Sequence, residues 1–469
     1  MEELSGLDAS FLSLESDKTP MHIGSIAMLE GAMSFDHFRQ YIEERLPLVR
    51  RLTQKLLLTP FNIDRPHWAQ DADFDLNMHL YRMALPKPGG WKELRCLACQ
   101  ELSQPLSRDR PLWEFIFVEG LDNIPQVPKG SVALLTKVHH AGFDGKSGIE
   151  LLKMLYDTSA DVGHLVEQKS KPIEPAPAWS ELLTEGVVNL ILRPAKLPLL
   201  LWDSAKAGLK ATYLHQIQHI VLPTLPFTAP QTFLNETVSL EREWDSALLD
   251  LQRVKALRAG VEGATLNDVI LAICAGALRR YLLEKNQLPD KPLVAMVPVS
   301  TRGENQKSTL GNQISAMFIQ LATDIDDPIK RLRKININTL VGKLYQDVVA
   351  DKSLMDYAQL IPFGLASVAT HLYSQAILAK RIKPPFNLII TNVPGPQVPL
   401  YLAGHKLLFN MGTGPIHDGA GLIIPVLSYN GTLSFSPTSC AKMMPDIALF
   451  TRYIHEAANE LEVAISKSQ

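Results

Sequence analysis

The stretch Ser131–Val138, SVALLTKV, runs directly into His139-His140-Ala141-Gly142-Phe143-Asp144-Gly145. Its apolar part reads as a short strand. After the double histidine, Lys146–Tyr156 carries Ile149, Leu151, Leu152 and Leu155, an apolar helical face. A tight turn lies between them, with Gly142 and Gly145 supplying backbone freedom. Strand, polar turn and helix in so short a span predict a mixed α/β fold with its chemistry at a strand end. Adjacent strand residues point to opposite faces, so the two histidines are expected to do different jobs unless the chain bends there. One would face a cleft while the other packs or hydrogen-bonds within the domain.

Imidazole is the side chain whose unperturbed pKa lies near neutral pH, and it is the usual base for deprotonating a hydroxyl. A base of that kind contributes about 10²–10⁴ in rate. Asp144 returns near the histidine end of the strand, where it either orients the site by pairing with an arginine or caps the following helix. Zinc on a helix would need H-E-x-x-H, which is absent. Asp144-Gly145-Lys146-Ser147 resembles the end of a phosphate-binding loop, but the required earlier glycine is replaced by His140. Ser147 is not flanked as G-x-S-x-G, so no nucleophile elbow is present.

Outward from this run, His22–Glu30 and Phe115–Gly120 read as strands and Asp36–Leu46 as a helix, giving a first domain over residues 1–165. Lys171–Trp179 is Pro-rich and extended, and Ser180–Val221 is helix-like but broken by prolines. Together they suggest a partly helical linker over 166–235. The second domain, 236–469, restarts the α/β pattern. Arg253–Val261 is a short helix and Thr265–Lys285 a long one. Pro292–Val299 and Gln313–Leu321 read as strands. Asn387–Ile390 is a strand ending in the turn Asn392-Val393-Pro394-Gly395-Pro396. Leu422–Pro425 and Leu433–Pro437 flank Tyr429-Asn430-Gly431, a hairpin turn signal.

A chain of 469 residues exceeds one ordinary core, and 46% hydrophobic with 20% charged residues is a globular composition. The net charge of −3 is spread without a basic block, which argues against a nucleic-acid partner. The four cysteines point to a reducing compartment. Cys96 and Cys99 fall within a helix at Trp91–Leu102 and are read as buried packing. No signal peptide and no membrane-spanning stretch is expected, so the reading is cytoplasmic. Leu199, Leu200, Leu201 and Trp202 lie beside Lys196, Lys206 and Lys210. Such a face either packs between two domains, the preferred reading, or lies on a membrane or lipid droplet.

His139-His140-x-x-x-Asp144-Gly145 resembles the signature of the CoA-dependent acyltransferase superfamily. More specifically, the chain resembles the bacterial wax ester synthase/diacylglycerol acyltransferase family. Leu7-Asp8-Ala9-Ser10-Phe11-Leu12 and Pro20-Met21-His22-Ile23-Gly24 look like that family's N-terminus. Pro111-Leu112-Trp113, Asn267-Asp268 and Asn392-Val393-Pro394-Gly395-Pro396 match its further motifs, in order. The resemblance implies two chloramphenicol-acetyltransferase-like α/β domains with mixed sheets flanked by helices. It implies an active site at their interface, reached by a tunnel from both faces.

It further implies that His140 is the base, His139 a support, and Asp144 structural beside Gly145. Asn267, at the start of the helix near Thr265, is the candidate oxyanion donor. Asp268 is its neighbour, and Thr265 with Asp268 also fits a capping box. The Pro111–Trp113 and 392–396 motifs read first as scaffold, with Trp113, Thr391 and Asn392 the candidate tunnel residues. The implied reaction moves a fatty acyl group from acyl-CoA, a co-substrate, to a long-chain alcohol or diacylglycerol, with no metal or bound cofactor. The competing readings are a condensation-type enzyme using a carrier-bound donor and a non-catalytic lipid-droplet protein.

Overall fold

The computed structural model describes residues 2–143, 145–161, 179–193, 195, 197–216, 221–300, 314–349 and 363–468. The first part runs β1 (Glu2–Glu3), α1 (Gly6–Leu14), β2 (His22–Leu29), α2 (Phe35–Arg45), β3 (Gln54–Leu57), β4 (His67–Gln70), β5 (Leu80–Ala84), α3 (Trp91–Leu102), β6 (Trp113–Leu121), β7 (Ser131–His139) and α4 (Gly145–Leu155). Helices α5 (Trp179–Leu192) and α6 (Leu197–Gln216) follow. The remainder runs β8 (Arg242–Trp244), β9 (Ala247–Asp250), α7 (Leu251–Ala256), α8 (Leu266–Glu284), β10 (Val294–Ser300), β11 (Ile314–Gln320), α9 (Pro328–Val349) and α10 (Phe363–Leu378). It ends with β12 (Leu388–Pro394), β13 (Tyr401–Leu402), β14 (His405–Thr413), β15 (Ile423–Tyr429), β16 (Thr432–Phe435), β17 (Thr438–Cys440) and α11 (Ile447–Ser468).

β7 is central because its sequence suits nothing else. It is paired on one side with β2 and on the other with β6, and every residue is buried. A strand covered on both faces needs an unbroken apolar run. Ala133 and Leu135 pack with Ile26, Ile116 and α3 on one side. Val132, Leu134 and Val138 pack with Phe38, Phe115 and Phe117 on the other. Among its buried polar residues, Lys137 is wholly buried and is held by Glu114 at 3.1 Å. Each large apolar side chain so covered contributes about 1.5–3 kcal/mol.

The order of the first sheet is β13-β14-β2-β7-β6-β5. Residues 401–413, inside the range 236–469 expected for the second domain, are therefore strands of the first sheet. β14 pairs antiparallel with β2, Thr413 opposite Gly24 and Met411 opposite Ile26. Pairing between segments so far apart in the chain leaves no local periodicity to read. Further ties bind the two parts: the Trp244 indole donates to the Gly412 carbonyl at 3.0 Å, and Arg242 donates to the Lys18 carbonyl at 2.6 Å.

The second sheet has the order β11-β10-β12-β15-β16-β9, with β17 beside β15 and β8. The expected hairpin is present. Asn430 and Gly431 both have positive φ, 41° and 85°, which suits a two-residue turn between β15 and β16. The expected turn at 392–396 is not placed as read. Asn392, Val393 and Pro394 continue β12, paired in parallel with Val426, Leu427 and Ser428. Proline is tolerated there because it ends the strand. The chain leaves at Gly395, where a Cβ would lie 2.3 Å from the Ser428 carbonyl oxygen.

The preferred packing of the linker helices holds only in part. α5 docks on the first part through buried Leu182 and Gly186, the latter against Ile63. Asn189 and Arg193 reach Asp64 at 2.7 and 2.5 Å. α6 lies on α9 and buries Leu200. However, Val188, Ile191, Leu192, Trp202 and Leu209 remain exposed. No helix among the described residues is long and apolar enough to cross a membrane. Cys96 is exposed rather than buried, while Cys99 accepts the Trp244 N–H at 3.2 Å.

Candidate active site

β7 delivers the two histidines into different surroundings. His139 is buried and lies opposite His22 on β2. Its Nδ1 accepts the Ala141 N–H at 3.0 Å, so the ring proton sits on Nε2 and is donated to Glu15 Oε1 at 3.2 Å. His140 is half-buried, and its backbone N–H donates to the Met21 carbonyl at 2.9 Å. Its ring lies flat on Phe11, with centroids 3.8 Å apart and planes 15° apart. Nearby, Ala141, Trp68, Leu12 and Leu112 form one apolar cluster with Phe11 and Phe363. Phe363 begins α10, which packs against α1. The apolar cluster beside His140 thus joins the N-terminal helix to the start of α10.

These surroundings set the charge of His140. Burial pushes its pKa down to about 4, its own backbone carbonyl opposes the shift, and the neighbouring His139 adds to it. The ring is therefore unprotonated at neutral pH, the form a proton acceptor needs. Its buried Nδ1 has no hydrogen-bond partner among the described residues.

Glu15 is the anchor of the inner histidine. Burial would raise its carboxyl, but the hydrogen bond from His139, with the charge and hydrogen bonds of Arg108, outweighs burial and holds it at about 2. Arg108 donates to Oε2 through Nε at 2.9 Å and Nη2 at 2.6 Å. The Met21 N–H donates to Oε1 at 3.1 Å. Glu15, Arg108 and Phe11's contact with His140 were not foreseen in the sequence. The available signal was the i, i+4 spacing of Phe11 and Glu15, which puts both on one side of a helix.

At α8 the expected capping box is present. The Thr265 N–H and Oγ1 both donate to Asp268 Oδ2 at 2.8 Å, and the Asp268 N–H donates back at 3.3 Å. Asp268 is buried and also takes Asn336 Nδ2 at 3.0 Å and Thr339 Oγ1 at 2.6 Å. It ties α8 to α9. Its neighbour Asn267 is half-buried and accepts from Asn392 Nδ2 at 3.5 Å. Two of the sequence-selected residues are thus brought together from α8 and β12. Thr391 points to the other face of β12, as alternation requires.

Trp113 does not line a passage. It is fully buried, stacked on His79 at 4.4 Å, with its indole N–H donated to the Leu52 carbonyl at 2.7 Å. Its bulk fills the core beneath β6, and its one polar atom is already satisfied. Asp144 lies outside the described residues; Gly145 begins α4.

The imidazole stands at the end of β7 in one large sheet, and the Asn267 amide stands at the start of α8 in the part built on the other large sheet. The family model for the wax ester synthase/diacylglycerol acyltransferase catalytic domain matches residues 4–270, and that for the WS/DGAT C-terminal domain matches residues 310–462. The O-acyltransferase WSD of Acinetobacter baylyi is 31% identical over 486 residues, covering 100% of this chain and 99% of that protein. A Mycobacterium tuberculosis protein, named provisionally as a diacylglycerol O-acyltransferase, is 33% identical over 468 residues, covering 98% of this chain and 90% of its own. The structure of the wax ester synthase/diacylglycerol acyltransferase from Marinobacter aquaeolei VT8 is similar with a TM-score of 0.69 and 26% identity, covering 99% of this chain and 100% of that one. The starter condensation domain of rhizomide synthetase shares the fold alone, with a TM-score of 0.56 at 14% identity and coverage of 98% and 94%. The chain belongs to the wax ester synthase/diacylglycerol acyltransferase family, and it is an acyltransferase.

Proposed function

We propose that the protein transfers a fatty acyl group from acyl-CoA to the hydroxyl of a long-chain alcohol or of diacylglycerol, with His140 as general base. The observation that carries this reading is the His140 imidazole: unprotonated, pressed on Phe11, and at the end of a rigid central strand. In the proposed step, His140 takes the hydroxyl proton as the oxygen attacks the thioester carbonyl carbon. The tetrahedral oxyanion then collapses, the C–S bond breaks, and the leaving CoA thiolate takes the proton back from the imidazolium. His139 holds the turn, and Asn267 supplies an amide N–H to the developing oxyanion. Its NH2 group has no acceptor among the described residues, which supports that role. Such a donor is typically worth about 2.7–4 kcal/mol. Both acyl chains are apolar, so the reading requires an apolar-lined passage.

The proposed acceptors are lipids, and the exposed apolar residues of α5 and α6 beside Lys206 and Lys210 suit peripheral contact with a membrane or lipid droplet. The test of the reaction is His140→Ala assayed for ester formation from palmitoyl-CoA with hexadecanol and with diacylglycerol. The expected result is a rate lower by about 10²–10⁴. A folded variant with near wild-type activity would remove His140 as the base.

A further inference from the structure

One helix touches both histidines. Phe11 and Glu15 lie a turn apart at the C-terminal end of α1, Glu15 being its C-cap. Phe11 covers the His140 ring, and Glu15 accepts the His139 Nε2 proton. The same Glu15 oxygen also accepts the Met21 N–H, and the Met21 carbonyl accepts the His140 N–H. The carboxylate therefore reaches His139 directly and His140 through the backbone of a single residue, Met21. Its other oxygen is gripped twice by Arg108, which also donates to the Leu12 carbonyl at 3.1 Å. The Glu15 side chain is 7% exposed and that of His139 1%, so water does not compete for the bond between them.

We propose that Glu15 is a positioning residue for acyl transfer, one carboxylate fixing His139 by its ring and His140 through the Met21 backbone. This rests on the reading of His140 as the base. With Nε2–H of His139 held by Glu15, His139 Nδ1 stays an acceptor for the Ala141 N–H, and that bond shapes the turn immediately after His140. Without the anchor, the His139 ring is free to change tautomer or rotate. The turn loses its bond, and the His140 ring loses its fixed seat on α1. Binding of the acyl-CoA does not depend on this chain of contacts, whereas the proton transfer does.

The test uses Glu15→Ala and Glu15→Gln beside His140→Ala in the full-length protein, with palmitoyl-CoA and hexadecanol as substrates. Gln keeps the shape but offers an acceptor on one edge only, so it cannot serve both Arg108 and His139. It remains informative should the alanine variant fail to fold. With the folded fraction fixed by circular dichroism, both variants are expected to lose kcat with KM for palmitoyl-CoA unchanged. The expected loss is about 10- to 100-fold, the size found when the orienting partner of a metal-bound imidazole is removed. A purely architectural role would lower the folded fraction and leave kcat per folded molecule intact. Wild-type kcat in folded Glu15→Gln, or a loss confined to KM, overturns the proposal. If His140→Ala is inactive while Glu15→Ala is not impaired, only the positioning role fails. If His140→Ala retains activity, it is the base assignment that fails.

Discussion

At the end of β7 the inward residue, His139, is held by a carboxylate that a guanidinium grips; at the start of α8 the inward residue, Asp268, is held by neutral donors. Each site is a pair of adjacent polar residues, and in each pair one member is tied into the scaffold. The other member, His140 or Asn267, is left only partly covered. The difference lies in what secures the inner member. Around His139 it is a charged network, whose strength depends on Glu15 staying ionised. Around Asp268 it is a cap and two cross-links from α9, which set where the helix begins. The first arrangement governs the orientation of a ring, the second the position of a backbone.

This contrast breaks most readily at Asn267. Asn267→Ala should lower kcat by about 10²–10³, with little change in stability because the capping box is untouched. Equal kcat in the variant and wild type would show that the α8 pair has no outward member. Asp268→Ala should do the reverse. It removes the bonds that Asp268 takes from Thr265, Asn336 and Thr339, at roughly 2–4 kcal/mol of stability, read from urea unfolding. A variant as stable as wild type would mean that the cap is not what fixes α8.

The charged network sharpens the contrast through pH. The Glu15 carboxyl is held at about 2 against an ordinary 4.5, so its contribution is full above 4.5 and is lost as pH falls toward 2. The stability gap between wild type and Glu15→Gln should therefore be on the order of 3 kcal/mol at neutral pH and close on acidification. A gap independent of pH would place the stabilisation elsewhere. The smallest effect is expected at Trp113. Trp113→Phe removes the indole donor to Leu52, costing about 1–3 kcal/mol of stability, while kcat/KM stays at the wild-type value. A selective loss of kcat/KM would return Trp113 to the substrate passage.

The elements around the site were legible because their signals are local. The apolar run before His139, the helical face after it, the Thr265–Asp268 cap and the Asn430-Gly431 turn each occupy a few consecutive residues. What could not be read depends on contacts between distant segments. β14 pairs with β2 across most of the chain, and nothing in residues 405–413 announces that partner. Asn392-Val393-Pro394 looks like a turn by composition, yet parallel pairing with β15 keeps it extended. Glu15 carries no motif of its own. Its role appears only when β2 and β7 bring Met21 and His139 to the end of α1. Trp113 was selected for its place in a motif, whereas its surroundings make it a core residue.

The central claim is that His140 works as an unprotonated base because its wall of apolar groups keeps it so. The most direct test is the pH dependence of kcat/KM for palmitoyl-CoA and hexadecanol, with circular dichroism at each pH to hold the folded fraction constant. A base must be unprotonated to act, so activity is lost as pH falls through its pKa. The expected result is a flat profile across the neutral range and an acid limb centred at about 4. An acid limb centred at the ordinary imidazole value of 6.5 would contradict it.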